Sequence, residues 1–194
     1  MASAAHHPPT ATGLDSRKLG FWTFIGSETL FFGSLISTYM VYKGAAVTGP
    51  LPHEVLDIPL TSVSTFVLLT SSLAMVLALN AVQRGSRSGA LTWILATAVG
   101  GLIFLGFQAY EFTHFVHEGL TISANVFGST FFVLTGFHGA HVSVGVIWLL
   151  TLWIMALRGK IGPADSLKVE MAGLYWHFVD IVWIVIFTLI YLIP

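Results

Sequence analysis

His138 and His141 stand three residues apart within FFVLTGFHGAHVSVG (131–145), inside the uncharged segment between Glu118 and Arg158. On a helix that spacing puts both imidazoles on one face, a turn apart. Such a pair can hydrogen-bond to neighbouring helices or ligate a metal or haem, and the spacing alone leaves both open. Small residues flank it (Gly136, Gly139, Ala140, Ser143, Gly145), so another helix can approach closely. Glu28 lies in an apolar run with no opposite charge near it in sequence. It is expected to stay neutral unless a histidine from another helix reaches it, and both a packing role and a proton-linked role fit. His177 and Asp180 are again three apart, where a carboxylate and an imidazole can share a proton or form an ion pair. Gln108, Glu111 and His114 recur every three residues, with His117 beyond them. Glu111-Phe-Thr-His114 has the Glu-x-x-His form of di-iron bundles, but such a site needs two copies and two further carboxylates. With one copy present, the stripe reads as polar packing and interfacial solvation.

The elements that must position these groups follow from composition. Of 194 residues, 55% are apolar and 9% charged, with a mean hydropathy of +0.84. Soluble domains carry about 25% charged residues, so the chain is expected to be an all-α integral membrane protein. Runs of the ~20 residues needed to cross a bilayer predict five spans, near 20–42, 59–82, 91–117, 125–157 and 172–193, forming a single domain. The fourth is long enough to tilt or to begin as a break around Gly128. Residues 1–19 are small, polar and proline-bearing and are expected to form a mobile tail in which His6 and His7 are exposed. The first apolar run is too long for a signal-peptide core and reads as an uncleaved span. Arg17, Lys18, Arg84, Arg87, Arg158, Lys160 and Lys168 would lie on one side and Lys43 on the other. That asymmetry predicts a cytoplasmic N-terminus and an external C-terminus. Polar groups at membrane depth should face protein, not lipid. Glu28, His177 and Asp180 fall at similar depths with His138 and His141 deeper, so helices one, four and five could enclose one buried polar cluster.

Several function classes drop away. A net charge of −1 gives no basic footprint for nucleic acid. The absence of cysteine rules out disulfides, iron–sulfur clusters and thiolate metal sites. A histidine-box membrane di-iron enzyme would need its histidines gathered at the cytoplasmic surface. Here His53, His114 and His117 fall on the outer side, and His138 and His141 near the midplane. An independent proton or ion channel built on the buried carboxylates is a further alternative.

Three long motifs, GFWTFIGSETLFF (20–32), FGSTFFVLTGFHGAHVSVG (127–145) and YWHFVDIVWIVIF (175–187), with GFQAYEF (106–112) as a weaker fourth, carry a family resemblance. The chain resembles subunit III of the haem-copper respiratory oxidases in its five-helix form, and looks like a seven-helix member lacking the first two helices. The acidic residue of the family's Ser-Glu pair matches Glu28, the motif histidines match His138 and His141, and the WHF-x-D signature matches Trp176, His177, Phe178 and Asp180. The resemblance implies an accessory subunit with no haem, copper or redox centre of its own. It further implies packing against catalytic subunit I, with subunit II and small subunits in the same complex, bound phospholipid, and support for proton uptake. Cytochrome c would be reached only through subunit II. The expected place is the inner membrane of a bacterium. Ser27-Glu28 and Tyr175-Trp176 look more like the cytochrome c oxidase branch than the quinol oxidase branch.

Overall fold

A computed structural model describes residues 15–43 and 56–193. Among them are five helices long and apolar enough to cross a membrane, and no strand. They are α1 (Ser16–Tyr42), α2 (Ile58–Gln83), α3 (Arg87–His117), α4 (Val126–Leu157) and α5 (Ser166–Phe187). A 3-10 turn (Pro163–Asp165) leads into α5, and a π turn (Thr188–Leu192) ends it. The expected tail falls mostly outside the described residues, as do His6, His7 and His53. Its last part is ordered, because Asp15 accepts a hydrogen bond from the Arg17 amide and caps α1 at Ser16.

Helices α1, α2 and α3 begin ahead of the apolar spans, because polar residues at their starts do the capping. Asp57, Ser86 and Asn125 accept from the amides of Leu60, Gly89 and Gly128 and satisfy first-turn N–H groups. At the opposite ends of α2, α3 and α4 the chain turns through Gly85, Gly119 and Gly159, each at φ between 69° and 85°. Each closes the last turn with paired bonds; Gly159 and Lys160, for example, donate to Ala156 and Met155. This is the left-handed cap that glycine adopts without steric cost. The expected break at Gly128 is absent. Asn125 caps there and Ser129 Oγ donates to Ile122 and Asn125, so α4 starts straight from Val126.

Helices α2, α3, α4 and α5 form a closed four-helix ring, each packed on the next, with α2 and α3 most intimately joined. The ring encloses Trp176, Trp183, Phe104, Phe127 and Phe131, all essentially inaccessible. Two indoles of α5 complete it: Trp176 Nε1 donates to Ser71 Oγ at 3.0 Å and Trp183 Nε1 to Thr65 Oγ1 at 2.9 Å. A bilayer offers no water to those N–H groups, so α2 hydroxyls must serve. Helix α1 lies outside the ring against α4 and α5, with only Phe21, Phe32 and Tyr39 buried.

Candidate functional site

The deepest polar contact between α1 and the ring joins two of the sequence motifs. His141 Nε2 lies 3.1 Å from Glu28 Oε2, with side-chain exposures of 18% and 21%. His141 Nδ1 meets the Phe137 carbonyl at 2.8 Å, and Tyr175 donates to the His141 carbonyl at 3.0 Å. A carbonyl can only accept, so Nδ1 carries a hydrogen. Nε2 then either holds a second proton facing a carboxylate or accepts one from a carboxylic acid. Either arrangement puts a proton between a carboxyl and an imidazole, a pairing that lowers the cost of placing both groups at membrane depth. Phe32, at a ring distance of 4.9 Å, and Phe31 at 6.2 Å flank the imidazole.

The expectation for Glu28 therefore resolves in favour of a histidine partner. The depths inferred from apolar spans set Glu28 above His141. Their 3.1 Å contact puts the two at one level, with Glu28 about 18 Å along α1 from Ser16. The single cluster expected among α1, α4 and α5 divides into separate sites. His138 is fully buried and neither ring nitrogen has a hydrogen-bond partner among the described residues. It stacks on Trp183 at 4.8 Å and meets Phe104 edge-on at 5.7 Å. Of the two motif histidines, only His141 hydrogen-bonds to a neighbouring helix.

His177 and Asp180 do not pair. His177 Nδ1 meets Ser72 Oγ of α2 at 2.5 Å, and its ring lies on a groove between α1 and α5. Asp180 is buried, and neither of its oxygens has a hydrogen-bond partner among the described residues. Ser72 approaches Asp180 as well, but is turned onto the imidazole instead of into bonding geometry with the carboxylate. A spacing of three residues on a 3.6-residue helix leaves a 60° offset, enough here to send one side chain inward and the other to the groove. The groove holds about 450 Å³ and is walled by Trp22, Ile25, Phe32, Ile36, Phe178 and Val182.

Glu111 belongs to a further site, at the end of the bundle where α1 terminates. It is 5% exposed; the Thr61 hydroxyl donates to Oε1, and Tyr191 donates to the same oxygen at 3.5 Å. Gln108 donates to the Thr135 carbonyl at 2.7 Å, while His114 and His117 are exposed. The stripe thus combines polar packing at Gln108 and Glu111 with solvation at the two histidines. Ser72, Thr61 and Tyr191, the partners of these groups, carry no spacing signal in sequence. A hydroxyl mid-helix usually bonds to its own backbone, as Ser62 and Thr70 do. Lys43 is another such residue: it crosses to the end of α5 and donates to the Leu189 and Ile193 carbonyls. Among the described residues no group of three or more His, Asp or Glu side chains is arranged to hold a metal ion.

Comparison with known proteins matches this arrangement to one family. A family model described as cytochrome c oxidase subunit III covers residues 2–193. Quinol oxidase subunit 3 of Bacillus subtilis (strain 168) is 41% identical over 174 residues, 90% of this chain and 85% of the relative. Cytochrome c oxidase subunit 3 of Alkalihalophilus pseudofirmus is 40% identical over 188 residues, 96% and 91% of the two chains. That of Bacillus sp. (strain PS3) is 40% identical over 177 residues, 91% and 86% of the two. With motifs from α1, α4 and α5 brought together in one five-helix fold and matched along nearly their whole length, the chain belongs to the subunit III family of the haem-copper oxidases.

Proposed function

We propose that this chain is the non-redox accessory subunit of a bacterial haem-copper oxidase that reduces oxygen with electrons from cytochrome c. In this reading it packs directly against catalytic subunit I in the inner membrane, its N-terminus in the cytoplasm, and it supports proton uptake. The observation that carries the proposal is the Glu28–His141 pair, in which a carboxyl and an imidazole from two family motifs on different helices meet at 3.1 Å within reach of the protein surface. The nitrogens of two imidazoles are engaged by protein groups, those of His141 by Glu28 and Phe137 and Nδ1 of His177 by Ser72, while His138 is packed among three aromatic rings. Phospholipid fits the groove between α1 and α5, whose apolar walls suit acyl chains. The orientation is supported by the helix ends, which set the seven basic residues of the N-terminal side opposite Lys43.

Quinol is the second reading for the electron donor, because relatives at 41% and 40% identity are named for the two branches. Extraction in mild detergent followed by affinity purification of this chain tests both. The proposal expects haem-bearing partners to copurify, and their oxygen consumption to be driven by reduced cytochrome c. Activity with a quinol alone would assign the complex to the other branch, and purification without haem would overturn the accessory role.

A further inference from the structure

The end of the bundle opposite Lys43 carries more positive charge than its own carboxylates can balance. Three carboxylates lie there among the described residues, and each is committed to a nearby cation. Asp15 pairs with Arg17 at 2.9 Å, Asp165 with Lys168 at 2.8 Å, and Glu170 with Lys18. Lys168 holds the Asp165 carboxyl below the ordinary carboxylate range. Four cations remain with no carboxylate partner among the described residues: Arg84, Arg87, Arg158 and Lys160. All four are exposed.

The fold gathers these four residues. Arg84 and Arg87 flank the turn between α2 and α3, and Arg158 and Lys160 lie in the turn that leaves α4. An Arg87 Nη donates to the Leu157 carbonyl at 2.6 Å, tying the two turns together. Gly85 also backs onto the turn before α5, where a Cβ on it would touch Pro163 Cγ at 3.6 Å. Arg84 and Arg158 occupy the C-caps of α2 and α4, where helix dipoles attract cations. Each dipole amounts to only about half a charge, so most of the excess stays unbalanced.

We propose that these joined turns form a binding site for the phosphate-bearing headgroup of an anionic phospholipid. Both turns leave their helices within a few residues of the apolar spans, so they sit at the height of the phosphate layer and are too short to reach far beyond it. Guanidinium groups match phosphate oxygens through paired N–H donors, and three of the four cations are arginines. Each basic residue near an anionic surface strengthens partitioning about fivefold, and four on one platform favour charged over zwitterionic headgroups strongly. The site is separate from the apolar groove between α1 and α5. It stands whether the complex takes electrons from cytochrome c or from quinol.

The test uses the full chain in detergent, delipidated and then offered phosphatidylglycerol or phosphatidylcholine with identical acyl chains, with retained lipid counted by native mass spectrometry. Phosphatidylglycerol should be retained at least about tenfold better at low salt, and raising sodium chloride from about 50 to 500 mM should collapse that preference. The triple variant Arg84→Gln, Arg158→Gln, Lys160→Gln should bring the two lipids to within about twofold of each other. Arg87 is left intact because it ties the turns together, and Lys168→Gln, which alters a paired cation, should keep the preference. Equal retention by the wild-type chain, a preference that survives high salt, or one that survives the triple variant would each overturn the proposal. If the triple variant does not fold, the salt titration of the wild-type chain decides. A wild-type chain that ignores phosphatidylglycerol but binds a polyglutamate peptide would assign the platform to an acidic protein, against the proposal.

Discussion

At the scale of single residues, the chemistry rests on which polar groups are paired and which are walled in. Glu28 and His141 pair between two helices at about one-fifth exposure, so either member is reachable from the surface of this chain. The reagent test follows from that pairing. An apolar carbodiimide attacks a protonated carboxyl, and in the wild type the imidazole competes for Glu28 Oε2. His141→Gln removes the basic nitrogen while keeping a side chain that can hydrogen-bond. Labelling of Glu28, read by mass spectrometry against Asp57 and Asp165, should then rise severalfold. An unchanged rate would mean that His141 does not govern access to the carboxyl. These candidates were legible in the sequence as ionisable residues in apolar runs, but their partners were not. Glu28 and His141 are separated by 113 residues, and nothing in either motif names the other. The 3-residue spacing suggested shared sites for His138 with His141 and for His177 with Asp180. In both cases the helical offset sends the two side chains to different neighbours.

At the scale of elements, close helix approach is set by glycine. A Cβ on Gly101 of α3 would stand 2.4 Å from Trp176 Cη2 and 2.7 Å from Val146 Cγ2. Trp176 is locked by its bond to Ser71, so neither neighbour can retreat without disturbing three helices. Gly26 on α1 has nothing within 4 Å of the same position. Gly101→Ala should therefore destabilise the chain by about 1–3 kcal/mol, as overpacked cores do. Gly26→Ala should be neutral or slightly stabilising, because alanine is the better helix former by about 1 kcal/mol. Thermal melts of the two variants in the same detergent check both signs, and equal melting temperatures would contradict the tight seating of the Trp176 indole and Val146 against Gly101. The existence of five helices was readable from apolar run length alone. Their ends were harder to read, since α1 and α3 gain about a turn beyond the apolar spans at polar residues, Asp15 and Ser86, that cap but carry no hydropathy signal. The order of packing was not readable either. Helix faces here are apolar on both the lipid and the protein side, so no polar stripe marks which face meets another helix.

At the scale of the whole molecule, a four-helix ring with α1 laid against its outside leaves one flank of that helix without a partner among the described residues. If the orientation proposed from basic residues holds, a reporter enzyme fused after Pro194 should behave as external, and a cytoplasmic readout would reverse every statement about which end faces the proton supply. The larger consequence concerns what the complex loses without this chain. A subunit that contributes no redox ligand should be dispensable for each catalytic step and needed for sustaining many of them. An oxidase stripped of this chain should accordingly keep its haem absorption and an appreciable initial rate of oxygen consumption, with activity decaying faster during turnover. The loss should grow as pH rises and protons become scarce. Two effects could produce that decay: loss of packing and lipid along the flank of subunit I, or loss of the proton held between Glu28 and His141. Glu28→Gln separates them, because it keeps side-chain size and a hydrogen bond to His141 while removing the ionisable group. If proton traffic matters, the intact complex carrying Glu28→Gln should decay like the stripped enzyme at high pH yet resemble wild type at low pH. If it matches wild type in lifetime and pH profile, Glu28 is a packing residue and the stripped enzyme fails through lost contacts. A stripped preparation whose haem spectrum disappears would refute the accessory role itself, because removing a chain that ligates no cofactor should leave the redox centres in place.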